Sequence, residues 1–295
     1  MESLAEGILR GDMRALARAA TAVENRRPEA IPLLAELFQR TGQATLVGIT
    51  GAPGAGKSTL VDGLARALRA EGRTVGVIAV DPTSPFSGGA ILGDRVRMQE
   101  HHGDPGVFIR SMATRGALGG LAAATTDVAL LLDAAGREVI LIETVGVGQD
   151  EVDVARLADV TVLVLVPGMG DDVQSMKAGI MEIADVLVIN KADRADADAF
   201  ERELRAAAGL GERQPPILRT VATEGKGIGE VLAAVRGVRQ QAGRREELWA
   251  ARLREMLRER LLERLPEAEI EAAAREVAAR RRDPYSIVKE WLERV

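Results

Sequence analysis

The sequence predicts an α/β fold, a mainly parallel sheet with helices on both faces. Three observations carry that reading. From residue 44 to about 243, short apolar runs alternate with stretches of helical periodicity. A glycine-rich turn follows the first run and opens a helix. Further polar, glycine-bearing segments follow later runs, where ligand loops of a parallel sheet belong, at the carboxyl ends of the strands. Strands are expected at 44–50, 74–80, 107–110, 138–143, 160–166, 185–190 and 217–220.

Two helical regions flank this core. Residues 1–43 read as short amphipathic helices, with Leu16 and Ala20, then Ile31, Leu34, Leu37 and Phe38, at helical spacing. They suit an extension packed on the main domain of residues 44–243. From 244 to 295 the chain is charged and helical, with Leu253, Leu257, Leu261 and Leu265 four apart, then Pro266 as a break, and a last segment containing Tyr285 and Trp291. That leucine stripe fits an arm that self-associates, and intramolecular packing would produce the same stripe.

Composition sets the outer limits. A chain of 295 residues with 46 % hydrophobic content is long enough for a sizeable core. Its 39 basic and 44 acidic residues give a net charge of −5, which offers no electrostatic footing for nucleic acid or a membrane surface. The start, Met1-Glu2-Ser3, lacks a basic region followed by an apolar core, and the longest apolar run, Val160 to Val166, is far short of the ~18 residues of a membrane span. A cytoplasmic protein is expected. With no cysteine, disulfides and thiolate metal sites are excluded. Only five of the 39 basic residues are lysine: Lys57, Lys177, Lys191, Lys226 and Lys289. Lysine is a compact point charge that the planar guanidinium cannot replace at a phosphate cradle, so its retention near glycine-rich turns carries meaning.

The turn after the first strand, Gly51-Ala52-Pro53-Gly54-Ala55-Gly56-Lys57-Ser58, matches G-x-x-x-x-G-K-[ST] at every fixed position, with Thr59 next. In such a P-loop the glycines turn backbone N–H groups inward on phosphates, Lys57 supplies charge to the β and γ oxygens, and Ser58 offers a hydroxyl to Mg²⁺. Asn190-Lys191-Ala192-Asp193, after the run Val186 to Ile189, is the N-K-x-D reader of guanine. The Asp193 carboxylate accepts from N1–H and the 2-amino group, donors that adenine lacks; leaving a charged acceptor unpaired costs on the order of 1–3 kcal/mol, enough to discriminate against ATP. Ala222, in Val221-Ala222-Thr223, offers a backbone N–H to the ring oxygen, though an ordinary strand-to-helix turn fits equally well.

Other carboxylates follow strands. Asp81 and Asp94 bracket a loop too rich in Pro and Gly to be regular, and both suit a phosphate-bound ion with Ser58; a turn-starting Asp and a helix N-cap are the competing roles. Glu143-Thr144-Val145-Gly146-Val147-Gly148-Gln149 stands where many G proteins carry D-x-x-G, with Glu143 as the longer carboxylate. Gln149 is displaced from the position after the first glycine where a water-orienting glutamine acts, so slow intrinsic hydrolysis is expected. Gln174 and Lys177, in the loop Pro167 to Lys177, are spaced to face one direction on a helix and reach nucleotide or partner, or to form a solvated first turn.

Taken together, these segments resemble the MeaB-like (ArgK-type) G proteins, the methylmalonyl-CoA mutase-associated GTPases. Beyond the generic motifs, the resemblance rests on Asp81-Pro82 with Ser87 through Asp94, on Arg110-Ser111-Met112-Ala113-Thr114-Arg115-Gly116-Ala117-Leu118-Gly119-Gly120, and on Glu143 through Gln149, and it covers nearly the whole chain. It implies a SIMIBI-class P-loop GTPase core with an N-terminal helical extension and a C-terminal helical dimerisation arm. It also implies a GTP/GDP-binding, Mg²⁺-dependent hydrolase that is slow alone and stimulated by its partner. The partner would be an adenosylcobalamin-dependent acyl-CoA mutase, whose B12 loading the G protein gates and which it protects. Carried onto this chain, Ser58, Asp81, Asp94 and Glu143 would be the Mg²⁺-associated residues, 110–120 the second switch region, and 167–177 the third switch, with Gln174 and Lys177 responding to the partner. Besides an arginine or ornithine kinase, for which no motif here supplies an anionic acceptor pocket, two alternatives stand beside this. One is a nucleotide-binding dimeric scaffold with little turnover, motivated by the displaced Gln149. The other is a nickel-inserting GTPase, which normally displays cysteine and histidine, whereas here there is only His101-His102.

Overall fold

A computed structural model describes residues 3–81, 101, 103–113, 120–144, 157–168, 184–208, 214–238 and 244–294. The chain divides into two compact units, Met1–Ala242 and Gly243–Val295.

The first unit is built on a seven-stranded sheet: β1 (Thr45–Thr50), β2 (Val75–Asp81), β3 (Val107–Ala113), β4 (Val139–Glu143), β5 (Val160–Leu165), β6 (Val186–Ile189) and β7 (Ile217–Arg219). The strand order is β3-β2-β4-β1-β5-β6-β7, with every pairing parallel. All seven lie where the apolar runs predict. Most ends shift by one residue; the larger departure is β3, which continues through Ser111, Met112 and Ala113, where the apolar run ends at Arg110. In-register pairing with β2 from Val75↔Val107 to Asp81↔Ala113 sustains it.

Both faces of the sheet are covered. On one, α4 (Lys57–Ala70) and α7 (Ile228–Val238) bury Leu60, Val61, Leu64 and Val231 against Val47, Ile49, Val77, Leu141, Val162 and Val164. On the other, α1 (Leu4–Leu9), α2 (Met13–Glu24), α3 (Ala30–Leu37) and α5 (Gly120–Ala134) share one core with Ile78, Val80, Phe108, Ile140 and Ile142. Toward β7 that face is closed by α6 (Ala197–Ala208), through Phe200 and Leu204 on Leu163, Leu165, Leu187 and Ile189. Alternate residues along β5 therefore serve opposite cores, as a pleated strand buried on both faces requires.

Local chemistry fixes where the N-terminal helices begin. Ser3 and Glu6 form a reciprocal capping box on α1, and Asp12 caps α2 by accepting from the Arg14 and Ala15 amides. Leu16, Ala20 and Leu37 are buried as the spacing predicts, whereas Ile31 and Phe38 are 55 % and 44 % exposed. The lead-in to β1 is held by a single buried carboxylate, Asp133, which accepts from the amides of Gly42, Gln43 and Ala44. Carboxylates also staple the amino end of the sheet. Glu138 accepts from Thr74 N–H, Asp159 from Leu46 N–H, and Asp185 from Thr161 N–H. The opposite, carboxyl end is left to the loops that carry chemistry.

The second unit holds α8 (Arg244–Glu263), α9 (Glu267–Ala278) and α10 (Pro284–Arg294). Pro266 sits at the N-cap of α9, where its missing N–H costs nothing. Trp291 and Arg294 of α10 both donate to Glu269 of α9. Leu253 and Leu257 of α8 are each 61 % exposed. Among the described residues, no helix is long and apolar enough to cross a membrane.

Candidate nucleotide site

The site lies at the carboxyl end of β1, the central strand at which the sheet order reverses. The chain leaves β1 through Gly51 (φ 139°), Gly54 (φ 77°) and Gly56 (φ 88°) before entering α4. Two of these glycines are forced by close approach as well as by conformation. A Cβ on Gly51 would lie 2.1 Å from the Val164 carbonyl oxygen, and one on Gly56 would lie 2.3 Å from Asn190 Nδ2. Gly56 is the N-cap of α4 and no side chain caps that end, so an anion would meet the first backbone amides and the positive end of the helix dipole.

Lys57 is 6 % exposed, and its ammonium donates to the carbonyls of Gly51 (2.7 Å) and Ala52 (3.0 Å). The loop thus curls around its own lysine, fixing the charge at its centre. Next to it, Ser58 Oγ donates to Glu143 Oε1 at 2.6 Å, and both residues are buried. This pair joins the start of α4 to the end of β4 and places two oxygen ligands together, the hard donor set that Mg²⁺ selects. Thr59 follows in the same first turn of α4. Behind the pair, Thr144 Oγ1 donates to Thr50 Oγ1, a second buried tie between β1 and β4.

The guanine motif is connected to the phosphate loop directly. Asn190, 3 % exposed, donates through Nδ2 to Ala55 O (2.9 Å), and its Oδ1 accepts from Thr220 Oγ1 (3.0 Å) and Ala222 N–H (3.2 Å). One amide therefore links the P-loop, the end of β6 and the turn after β7. Lys191 takes a left-handed backbone (φ 55°) and donates to Gly54 O at 3.0 Å. Asp193 is exposed in the turn beyond. The turn carrying Ala222 is closed by a bridge between Val221 and Lys226. Glu224, ion-paired to Lys226 at 2.6 Å, and more weakly Asp193, hold the Lys226 ammonium above the usual lysine value.

Most of the residues expected to bind nucleotide are thus brought to one edge of the sheet. Asp81 ends β2, in register with Ala113; Asp94, Gln149, Gln174 and Lys177 lie outside the described residues. Thr220 escaped the sequence reading. A threonine just past a three-residue strand carries no pattern of its own, and only the fold shows that its hydroxyl orients Asn190.

A parallel sheet with a glycine-rich loop closing on a lysine at its central strand, and an N-K-x-D amide packed on that loop, define a P-loop nucleotide-binding protein of the α/β class. Residues 16–274 match the family described as methylmalonyl-CoA mutase-associated GTPase MeaB, and the chain belongs to that family. It is similar to a Pyrococcus abyssi protein with a provisional GTPase name, 50 % identical over 97 % of this chain and 94 % of that one. The GTPase ArgK of Escherichia coli is 41 % identical over 79 % of this chain and 75 % of its own. The mouse mitochondrial methylmalonic aciduria type A homolog is 37 % identical over 85 % and 66 %. Among solved structures, a LAO/AO transport system kinase superposes with a TM-score of 0.73 at 29 % identity, over 98 % of this chain and 95 % of that one. HypB from Helicobacter pylori, solved with nickel, shares the fold at a TM-score of 0.51 and 17 % identity, over 72 % of this chain and 96 % of that one.

Proposed function

We propose that the protein is a Mg²⁺-dependent GTPase that acts as a G-protein chaperone of an adenosylcobalamin-dependent acyl-CoA mutase. The observation that carries the nucleotide half is the Asn190 junction, because it holds a guanine-reading motif against a phosphate loop in one rigid edge. Lys57 would neutralise the β and γ oxygens, and water would attack the γ-phosphorus in line. Asp193 would read the guanine edge. Ser58 and Glu143, with Asp81 and Asp94, would hold the ion, which supplies charge neutralisation on the phosphate oxygens. Gln174 and Lys177 are assigned to the partner-responsive loop, and turnover is slow until the mutase engages it.

The mutase half rests on family membership. The chain is assigned to the cytoplasm and works without nucleic acid or membrane. Self-association is assigned to the second unit, where Leu253, Met256 and Leu257 of α8 are exposed side by side at helical spacing. A Leu257→Arg change should leave GDP binding intact and abolish the dimer in sedimentation; a monomeric parent would remove this assignment.

GTP turnover by the purified chain, alone and with a B12-dependent acyl-CoA mutase, tests the whole reading. A slow basal rate that rises several-fold with the mutase, and falls about 10²-fold or more in Lys57→Ala, is expected. Nucleotide binding without turnover under either condition would leave a scaffold and end the GTPase assignment. Turnover indifferent to the mutase would end the chaperone assignment alone.

A further inference from the structure

The strands behind the Ser58–Glu143 pair are tied a second time, on the other face of the sheet. Ile49 of β1 is in register with Glu143 of β4. Both project toward α4: Ile49 belongs to the core on that side, and Glu143 accepts from Ser58 there. The next residue of each chain segment, Thr50 and Thr144, projects to the opposite face, as strand alternation requires. There Thr144 Oγ1 donates to Thr50 Oγ1 at 3.2 Å, and both residues are fully buried. The Thr144 amide also donates to Ile49 O at 3.1 Å, so the ladder runs one residue past the end of β4. This is the point at which β1 turns into the P-loop, at Gly51.

The two ties respond differently to a cation. Ser58 Oγ and Glu143 Oε1 stand 2.6 Å apart. Neighbouring oxygens of an octahedral Mg²⁺ with bonds of about 2.1 Å are separated by about 3 Å, and a carboxylate reaching the ion through a water stands further off. Ion entry therefore stretches or replaces the Ser58–Glu143 bond, at the moment when Glu143 has to be held in place. The Thr50–Thr144 bond lies on the opposite face of the sheet from Ser58, so an ion held by Ser58 and Glu143 does not compete for its oxygens. Glu143 and Thr144 share a peptide bond, and what fixes Thr144 to β1 also fixes the backbone from which the Glu143 carboxylate projects.

We infer that Thr50 and Thr144 are positioning residues for the cation site: their hydroxyl bond holds Glu143 at the root of the P-loop when ion entry takes the Ser58–Glu143 bond away. This rests on the proposed assignment of Mg²⁺ to Ser58 and Glu143. The role is indirect, setting the affinity of the ion through the Glu143 backbone without a contact to ion, phosphate or base.

The test compares the full chain with Thr144→Val, Thr144→Ser and the double variant Thr50→Val/Thr144→Val. Valine keeps the shape and the β-favouring branch of threonine and removes only the hydroxyl. Thermal midpoints are recorded in EDTA, and binding of a fluorescent GDP analogue is titrated in EDTA and then against Mg²⁺. Thr144→Val leaves the buried Thr50 hydroxyl unsatisfied and should melt about 2–8 °C below wild type in EDTA, whereas the double variant removes both partners and should recover most of that loss. The Mg²⁺ requirement should follow a different order. Loss of the one hydroxyl bond should raise the Mg²⁺ concentration for half-maximal effect about 3- to 10-fold in Thr144→Val and equally in the double variant, while Thr144→Ser stays close to wild type. A Mg²⁺ midpoint that returns to wild type in the double variant, or never moves, would overturn the inference and leave the pair as packing alone. If wild-type binding does not respond to Mg²⁺ at all, the assignment of the ion to Ser58 and Glu143 fails first, and the role of the threonines with it.

Discussion

Replacing Asn190 by alanine should destabilise the protein before any nucleotide is added. The side chain is 3 % exposed and makes three hydrogen bonds, to Ala55 O, from Thr220 Oγ1 and from Ala222 N–H. Each lost bond of this kind contributes about 0.5–1.5 kcal/mol net, and the partners left behind are buried, so a loss of about 2–4 kcal/mol follows even if a water partly refills the site. For a unit of this size a kilocalorie shifts the thermal midpoint by about 2–4 °C, which gives a fall of about 4–16 °C. Differential scanning calorimetry without nucleotide reads this directly, and repeating it with saturating GDP reads any additional loss from the base contact proposed for this motif. Asn190→Asp is the informative companion: it keeps an acceptor for Thr220 and Ala222 but turns an oxygen toward the Ala55 carbonyl, so it should lose nearly as much. If Asn190→Ala melts within about 2 °C of wild type without nucleotide, the amide is a base reader only and the junction does not hold the loop.

Three further outcomes can be measured. Gly51→Ala places a Cβ 2.1 Å from a backbone carbonyl at a φ of 139°, so the strand end itself must move; a loss above about 3 kcal/mol in urea unfolding is expected, and a wild-type midpoint would refute the packing of β1 against β5. Thr125 of α5 is 1 % exposed and its hydroxyl has no partner among the described residues, so the near-isosteric Thr125→Val should stabilise by about 0.5–1.5 kcal/mol; a destabilised variant would reveal a partner. The Arg69 guanidinium, and then the Gly106 amide, hold the Asp104 carboxyl below the usual carboxylate range. Because its folded value is depressed by that pairing, the contribution of Asp104 is complete above the ordinary carboxylate value of about 4 and is lost as pH falls through the folded value. Asp104→Asn should therefore be less stable than wild type at neutral pH, with the difference shrinking toward zero in acid; a gap that stays constant with pH would refute the pairing as its source.

The sheet was legible because buried parallel strands are written as short apolar runs, and the P-loop because its chemistry requires fixed residues at fixed spacing. What the sequence hides is set by register and by long-range meeting of elements. Arg110 ends an apolar run, so β3 reads as finished, yet its partner β2 carries it on to Ala113. Ile31 keeps helical spacing but falls on the outer side of α3, where the inner side is taken by Leu33 and Leu37, and Phe38 stands just beyond the end of that helix. Ser58 and Glu143 are 85 residues apart, and each is recognisable from its own motif; their direct bond follows only when β1 and β4 lie side by side. Thr220 belongs to no motif that names a role for it. A hydroxyl on a strand says nothing until its row is known.

The lysine of the P-loop shows why the phosphate half of such a site resists simple dissection. Lys57 reaches back to two carbonyls of its own loop, Gly51 and Ala52, so it restrains the loop as well as charging it. Lys57→Ala removes both effects at once, and the affinity it loses exceeds the electrostatic share. Lys57→Arg does not isolate the charge either. A planar guanidinium presents its donors as a fork, whereas an ammonium directs three around one nitrogen, and the two adjacent carbonyls converge on a point. The charge and the loop restraint can be separated from the other side. Because Asn190 holds Ala55 independently of Lys57, the Lys57→Ala protein should keep most of its thermal stability while losing GTP, and the Asn190→Ala protein should lose stability while keeping Lys57 in place. If the two variants instead lost stability equally, the loop would depend on its lysine as much as on the junction, and Lys57→Ala could serve as a blank for turnover but not as a measure of what the charge contributes.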